Sequence, residues 1–513
     1  MLRKFILVAS VFATSLAYAM PSITFEEVDL PSLQTSAQSV VLFIDDAETL
    51  KGTAKQVDEL TDGRLAQALT ESEFSASLGA TEVFFAMTPF SRITVIGTGT
   101  EPLNAPQLQD LGGYAAAALP TGAVGQPRLI ADSLPTSVQL PQAYIAMGAS
   151  LRDYHFDKYK KTESQTEPRR LVIHGAESES ASALYNNDLR HVVEGVYLTR
   201  DMASEPGKSI YPQAFVEHVV DLFDDVRNVD IDVLDVRDMQ KLNMGALLGV
   251  GKGSVHDSRL LVISYQGADK KQAPIALVGK GITFDTGGIS LKSNNNMWQM
   301  KSDLAGAAAV AGTLLAIAKR GENVNVVGLM PLSENMPAQD AIRPGDVLTT
   351  MQGTTIEIIS TDAEGRLILS DAVRYAQDKY APRMLVNIAT LTGSAARALS
   401  DEYAAVITRD WALSEKMMEI GNVSGEHVWP LPLHPNHFTQ IKSDIADIKN
   451  SGAGNPGASI GAAVIGTFVD ESLPWVHLDI AGVDWLSSSI PVAPAGSQGW
   501  GVRFMDQIVR EYK

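Results

Sequence analysis

From about residue 186 onward the chain alternates short Val/Ile/Leu-rich runs with longer helix-forming stretches, and this constrains the fold more than any other feature. Candidate strands lie at 260–265, 275–278, 324–329, 355–359, 384–388 and 476–480. The clearest helices span 302–319 and 369–378, the first opening on a Ser302-Asp303 pair suited to N-capping. Apolar strands separated by helices imply a mixed, mostly parallel sheet with helices on both faces. Upstream, runs at 40–44, 82–86, 93–96 and 171–174, with a helix-forming stretch at 113–119, read as a second α/β unit. A chain of 513 residues exceeds one ordinary core. The expected architecture is therefore two-domain α/β. An N-terminal domain covers 20–180 and a C-terminal domain 186–513, linked by a helix near 189–203.

A formal charge of −19 argues against a nucleic-acid binder, which carries a basic face. The absence of cysteine excludes disulfides, thiolate metal sites and cysteine nucleophiles. At the start, Leu2-Arg3-Lys4, an apolar run over 5–16 and Ala17-Tyr18-Ala19 have the layout of a secretory signal peptide. Residues 1–19 are accordingly expected to be removed, leaving an exported protein, periplasmic or secreted, with no membrane segment.

Chemistry concentrates between residues 279 and 367. Lys280, Asp285, Lys292, Asp303, Asp362, Glu364 and Arg366 all fall there, with no histidine or cysteine. Several follow candidate strands, where sites in open α/β sheets lie. Asp362 and Glu364, two apart, share a side of an extended segment. Four carboxylates drawn together repel unless cations neutralise them, and oxygen-rich clusters of this kind hold paired divalent metals. Lys280, flanked by Gly279 and Gly281, admits two readings. It is an ammonium paired with nearby carboxylates, or a neutral amine ligating a metal, for which deprotonation at pH 7 costs about 4.6 kcal/mol. Chemistry alone favours the pair. Gly249-Val250-Gly251-Lys252-Gly253-Ser254 fails as a phosphate loop because Gly253 follows the lysine. His434 and His437 read as a surface loop.

The segment Ser360-Thr361-Asp362-Ala363-Glu364-Gly365-Arg366-Leu367 resembles the N-T-D-A-E-G-R-L signature of the leucyl aminopeptidase (cytosol aminopeptidase) family. The likeness continues in order through MGALLGVG (244–251), VGKGITFDTGGISLK (278–292), KSDLAGAA (301–308), ENMPAQDAIRPGDV (334–347), ATLTG (389–393), QIKS (440–443) and HLDIAG (477–482). It covers the C-terminal domain; the N-terminal one shows no comparable motif.

The resemblance implies a two-metal exopeptidase acting on peptides, with Mn or Zn. One metal would be held by Lys280, Asp285, Asp303 and Glu364. The other would be held by Asp285, Asp362 and Glu364. It further implies that Lys292 stabilises the oxyanion formed when water attacks the scissile carbonyl. Arg366, with backbone at Gly365 and Leu391, would hold a bicarbonate acting as general base. Met300, Thr390, Gly393 and Ala481 would line the pocket for the first side chain, favouring Leu- or Met-sized groups, and the subunits would form a homohexamer. Three departures stand out: Ser360 for the usual Asn, Leu304 for the commoner Met, and Asp484 near a pocket position apolar in some relatives. Asp484 is expected to point outward. The competing readings are another two-metal hydrolase, such as a phosphoesterase, and a non-catalytic binding or scaffold protein on the same fold.

Overall fold

A computed structural model describes residues 20–29, 33, 39–120, 126–161, 165–452 and 457–513. Residues 1–19, expected as a signal peptide, lie outside them.

Six strands build the first sheet: β1 (Ser22–Glu26), β2 (Ser39–Ile44), β3 (Thr81–Phe85), β4 (Arg92–Gly97), β5 (Arg128–Ile130) and β6 (Arg170–His174). They run in the order β1-β6-β5-β2-β4-β3, parallel except where β3 meets β4. The stretch expected at 113–119 belongs to a longer helix, Ala105–Ala118, which begins where Asn104 and Gln107 form a reciprocal capping box.

The remainder contributes β7 (Val229–Leu234), β8 (Arg259–Gln266), β9 (Ile275–Gly279), β10 (Gly281–Asp285), β11 (Asn325–Asn335), β12 (Val347–Thr349), β13 (Thr355–Glu357), β14 (Met384–Ala389), β15 (Ala404–Ile407), β16 (Val428–Pro430), β17 (Ile448–Lys449) and β18 (Trp475–Asp479). Nine of these form one sheet, ordered β16-β15-β18-β14-β9-β11-β8-β7, with β10 also paired to β11. Its centre, β18-β14-β9-β11, is parallel, while antiparallel pairs occur toward both edges. Every residue of β9, β14 and β18 is buried, as expected for strands covered on both faces. The segment expected as a strand at 355–359 lies elsewhere, as β13 in a small sheet with β12 and β17. Its burial alternates, Ile356 and Ile358 inside and Ile359 out, a pattern for a two-faced strand and not for the centre of a covered sheet.

Three helices matter for the site: α1 (Arg190–Ser204), α2 (Ala305–Arg320) and α3 (Gly365–Tyr380). α1, the expected linking helix, packs against α2, and one apolar cluster runs from Leu171 and Ile173 through Val193 and Leu198 to Leu314 and Val386. Buried Arg200 ties the halves further, donating to the carbonyls of Leu151 (2.5 Å), Gln498 (3.0 Å) and Val492 (3.2 Å). The stretch Met297–Arg320 is long and apolar enough to cross a membrane, yet 89% of its apolar window is buried inside the protein. It is a core helix preceded by a short 3-10 segment.

Candidate metal centre

The parallel strands end on one side of the sheet, and the polar residues gather there. The chain between β9 and β10 is a single residue, Lys280. Its N–H donates to the Ile388 carbonyl (2.9 Å) and its carbonyl accepts from Ala307 (2.8 Å), so β14 and α2 hold it on both sides. A Cβ on Gly365 would stand 2.7 Å from Cδ and Cε of Lys280, which explains a glycine at the start of α3. Asp285 closes β10, and Gly287 and Gly288 turn the chain after it with positive φ (87° and 66°), open to glycine without strain. Asp303 precedes Leu304, the N-cap residue of α2, and Glu364 is the N-cap residue of α3, so both acids stand beside helix amino-terminal ends, which favour negative charge. The Ser302-Asp303 cap expected for α2 does not form: its N-cap is Leu304, without a side-chain bond. Asp303 is committed elsewhere, to Lys280 and the Thr390 hydroxyl.

Asp285, Asp303 and Glu364 are buried and offer oxygens all within 4.8 Å of one another. Lys280 Nζ lies 2.8 Å from Asp303 Oδ1 and 2.9 Å from Glu364 Oε1, and donates to the Thr390 carbonyl at 3.0 Å. On the other side, Lys292 Nζ reaches Asp285 Oδ2 (2.8 Å) and Asp362 Oδ1 (2.5 Å). Burial pushes Asp303 up to about 8 and Asp285 up to about 6, with repulsion among the acids adding to it. Asp362 is raised by burial and by Glu364. Glu364 is lowered: burial opposes this, but Lys280 and Lys292 outweigh it. For both lysines burial opposes the charge, and the surrounding carboxylates overcome it and raise them.

Among the described residues, two oxygens, Asp303 Oδ2 and Glu364 Oε2, are buried without a hydrogen-bond partner. Orphaned carboxylate oxygens in a crowded, dry cluster are unfavourable unless a cation completes them. The donor set fits hard or borderline divalent metals that take oxygen ligands.

Of the other expected residues, Met300 and Thr390 touch the cluster directly. Met300 accepts from the Asp303 N–H (3.3 Å), and the Thr390 hydroxyl donates to Asp303 Oδ1 (2.7 Å). Met300, Thr390 and Ala481 are half-buried and Gly393 is exposed. Arg366 is buried and donates to the Asn450 carbonyl (3.0 Å), and among the described residues its Nε has no partner. Arg366 and Leu391 both border Gly461, where a Cβ would meet Leu391 at 2.8 Å and Arg366 at 3.5 Å. Of the departures, Ser360 caps locally by accepting from the Asp362 N–H (3.2 Å) and Leu304 is core. Asp484, expected outward, is instead 2% exposed: its turn packs at Gly482 against Ala396 and Ser400, and its side chain lies near Ser302 of the 3-10 segment before α2.

Three further residues organise the site. Asn335, at the end of β11, donates to Asp285 Oδ1 (2.7 Å) and to the Thr361 carbonyl (3.1 Å). Asp479, at the end of β18, accepts from the N–H groups of Leu391 (3.1 Å), Thr392 (3.3 Å) and Ala481 (3.3 Å), fixing two loops. Asn450 accepts from Ile359 N–H (2.8 Å) and donates to the Ser360 carbonyl (2.7 Å), shaping the turn before Asp362. Asn335 and Asp479 each end a strand, and that position is the signal that could have marked them.

Residues 197–505 match the catalytic-domain model of the cytosol aminopeptidase family, and residues 40–163 its N-terminal-domain model. Similar proteins include a probable cytosol aminopeptidase of Rickettsia bellii (strain RML369-C), 38% identical, covering 93% of this chain and 97% of the relative. Another, from Rhodopseudomonas palustris (strain TIE-1), is 38% identical over 94% of this chain and 97% of the relative. Among solved structures, a mutant of tomato leucine aminopeptidase superposes with a TM-score of 0.83 at 27% identity, covering 96% of each chain. The bottromycin maturation enzyme BotP in complex with Mn gives 0.81 at 28% identity, over 93% of this chain and 100% of that one. These names overturn the expectation of an exported protein, periplasmic or secreted, since the relatives spanning nearly the whole chain are cytosol aminopeptidases. That expectation rested on the composition of 1–19 alone, residues outside those the structure describes. The chain belongs to the cytosol aminopeptidase family and is a metal-dependent aminopeptidase.

Proposed function

We propose that this enzyme uses two divalent metals per subunit, Mn or Zn, to release N-terminal residues from peptides. The observation that carries this reading is the buried triad of Asp285, Asp303 and Glu364 with two orphaned oxygens. Lys280, Asp285, Asp303 and Glu364 would hold the inner ion, and Asp285, Asp362 and Glu364 the outer one, with Asp285 and Glu364 shared. Bound there, the ions polarise the scissile carbonyl and lower the pKa of the attacking water.

The protein's own groups do the rest. Lys292, on the open side, keeps its ammonium charged and donates to the carbonyl oxygen as it becomes an oxyanion. Arg366, whose Nε has no partner among the described residues, would with backbone at Gly365 and Leu391 grip a bicarbonate, placing a base for the water proton. That proton passes to the leaving amine as the C–N bond breaks. Half-buried Met300, Thr390 and Ala481, with Gly393 at the rim, favour a first side chain of Leu or Met size. Residues 20–180 and 186–513 would be the two domains, the second carrying all of this chemistry.

A homohexamer assembled through the catalytic half is supported by its exposed apolar residues, Leu291, Trp298, Trp411, Trp429 and Ile445 among them. Light scattering at six times the subunit mass tests it. The reaction is tested with Leu-p-nitroanilide and p-nitrophenyl phosphate, with Mn or Zn and then chelator. Turnover of the first alone, lost with chelator, is expected; turnover of the phosphate ester alone would make the protein a phosphoesterase.

A further inference from the structure

One buried acid takes no part in the chemistry above. Asp484 lies in the turn that follows β18, its N–H donating to the Ile480 carbonyl (3.0 Å) and its own carbonyl accepting from Gln498 (2.7 Å). Its side chain is buried, and among the described residues neither carboxylate oxygen has a hydrogen-bond partner. The Ser302 hydroxyl is near enough to ease the charge without reaching hydrogen-bond geometry. Burial still pushes the carboxyl up to about 7.

Among the described residues no cation is paired with this acid. Lys301, beside Ser302 in the chain, is engaged otherwise: its Nζ donates to the Ser204 carbonyl (2.7 Å) and lies 5.4 Å over the Trp485 ring. Yet the acid is close to the centre. Ser302 immediately precedes Asp303, and Ala481, three residues before Asp484, is tied through Asp479 to the loop carrying Thr390 and Leu391. The neighbouring Trp485 ring meets exposed Trp298 edge-on at 5.8 Å, making an aromatic rim. A carboxyl in dry surroundings with neither donor nor cation is costly, and an apolar residue would avoid that cost. Met300, two residues before Ser302, and Ala481, three before Asp484, are half-buried and apolar. The complementary ligand is an unbranched apolar stem with a cation at its tip.

We propose that Asp484 extends this pocket to peptides whose first residue is lysine or arginine, its carboxylate receiving the side-chain cation while the scissile carbonyl lies at the acid cluster. This rests on the peptidase reading and adds a substrate class to its Leu- and Met-sized ones. Such a side chain passes the same apolar walls as methionine and differs at its tip.

The test is kcat/KM for Lys-, Arg-, Leu- and Met-p-nitroanilide with Mn, in the wild type and in Asp484→Asn and Asp484→Leu. The Lys-to-Leu ratio falls at least fivefold in both variants, chiefly through KM for the lysine substrate. A smaller change with Leu still hydrolysed overturns this inference and leaves the peptidase reading intact; no hydrolysis of any substrate by the wild type sinks both. If the variants do not fold, inhibition of wild-type Leu-p-nitroanilide turnover by L-lysine and by L-norleucine decides. Lysine binding at least fivefold tighter is expected, and any weaker preference overturns the proposal.

Discussion

Lys280 and Lys292 flank the same group of acids, and their surroundings differ. Lys280 and its partners Asp303 and Glu364 have side chains at most 7% exposed, whereas Lys292 is 24% and Asp362 36% exposed. The inner lysine is locked by strand and helix backbone on both sides; the outer one hangs from the loop after β10. The same pairing chemistry therefore does two jobs. Inside, the charge compensates acids that water cannot reach. Outside, it stays available to a substrate.

The largest effect expected from that contrast is on the inner side. Lys280→Met leaves Asp303 and Glu364 buried without their cation, so the metal-free protein should lose about 3–5 kcal/mol in urea unfolding. Lys292→Met should cost little stability but lower kcat about 10²–10³-fold, as loss of an oxyanion donor does, with metal content unchanged by elemental analysis. If the two variants lost stability equally, the division into sealed and open halves would be wrong.

Asn335→Ala tests the link between them, since Asn335 holds Asp285, which both halves share. Activity or metal affinity is expected to fall about 10–100-fold, read by metal titration against kcat/KM.

The smallest effect concerns His477, fully buried beside Asn387 (2.7 Å) and held neutral, its pKa lowered to about 3 by burial and then by Arg366. In the unfolded chain it takes a proton near pH 6.5, in the folded one only near 3. Its stabilising contribution is thus complete above pH 6.5 and is lost as pH falls through that window. Melting curves of His477→Gln should show an acid-side slope shallower by up to about 1.4 kcal/mol per pH unit. A slope identical to the wild type would mean that His477 is protonated in the native protein.

Legibility in the sequence followed locality. β9, β14 and β18 were visible because apolar runs bounded by breakers need no partner to be recognised. β13 was visible as a strand but not as a member of another sheet, since pairing depends on 447–449, some ninety residues away. Asp285, Asp362 and Glu364 stood out as acids beside strand ends. Asn335 and Asp479 did not, because a single polar residue at a strand end has no spacing to betray it. The Ser302-Asp303 pair looked like a cap and is not one; Lys280, twenty-three residues earlier, competes for the same carboxylate.

By itself, the sequence determined the two-domain α/β plan, the concentration of acids and lysines in 279–367 and the family, for these depend on residue types and their order along the chain. Tertiary structure alone decided which charges are sealed and which open, and turned Asp484 inward. Burial arises from elements distant in sequence closing over a side chain, and the cost of a charge depends on that enclosure and not on its neighbours in the chain.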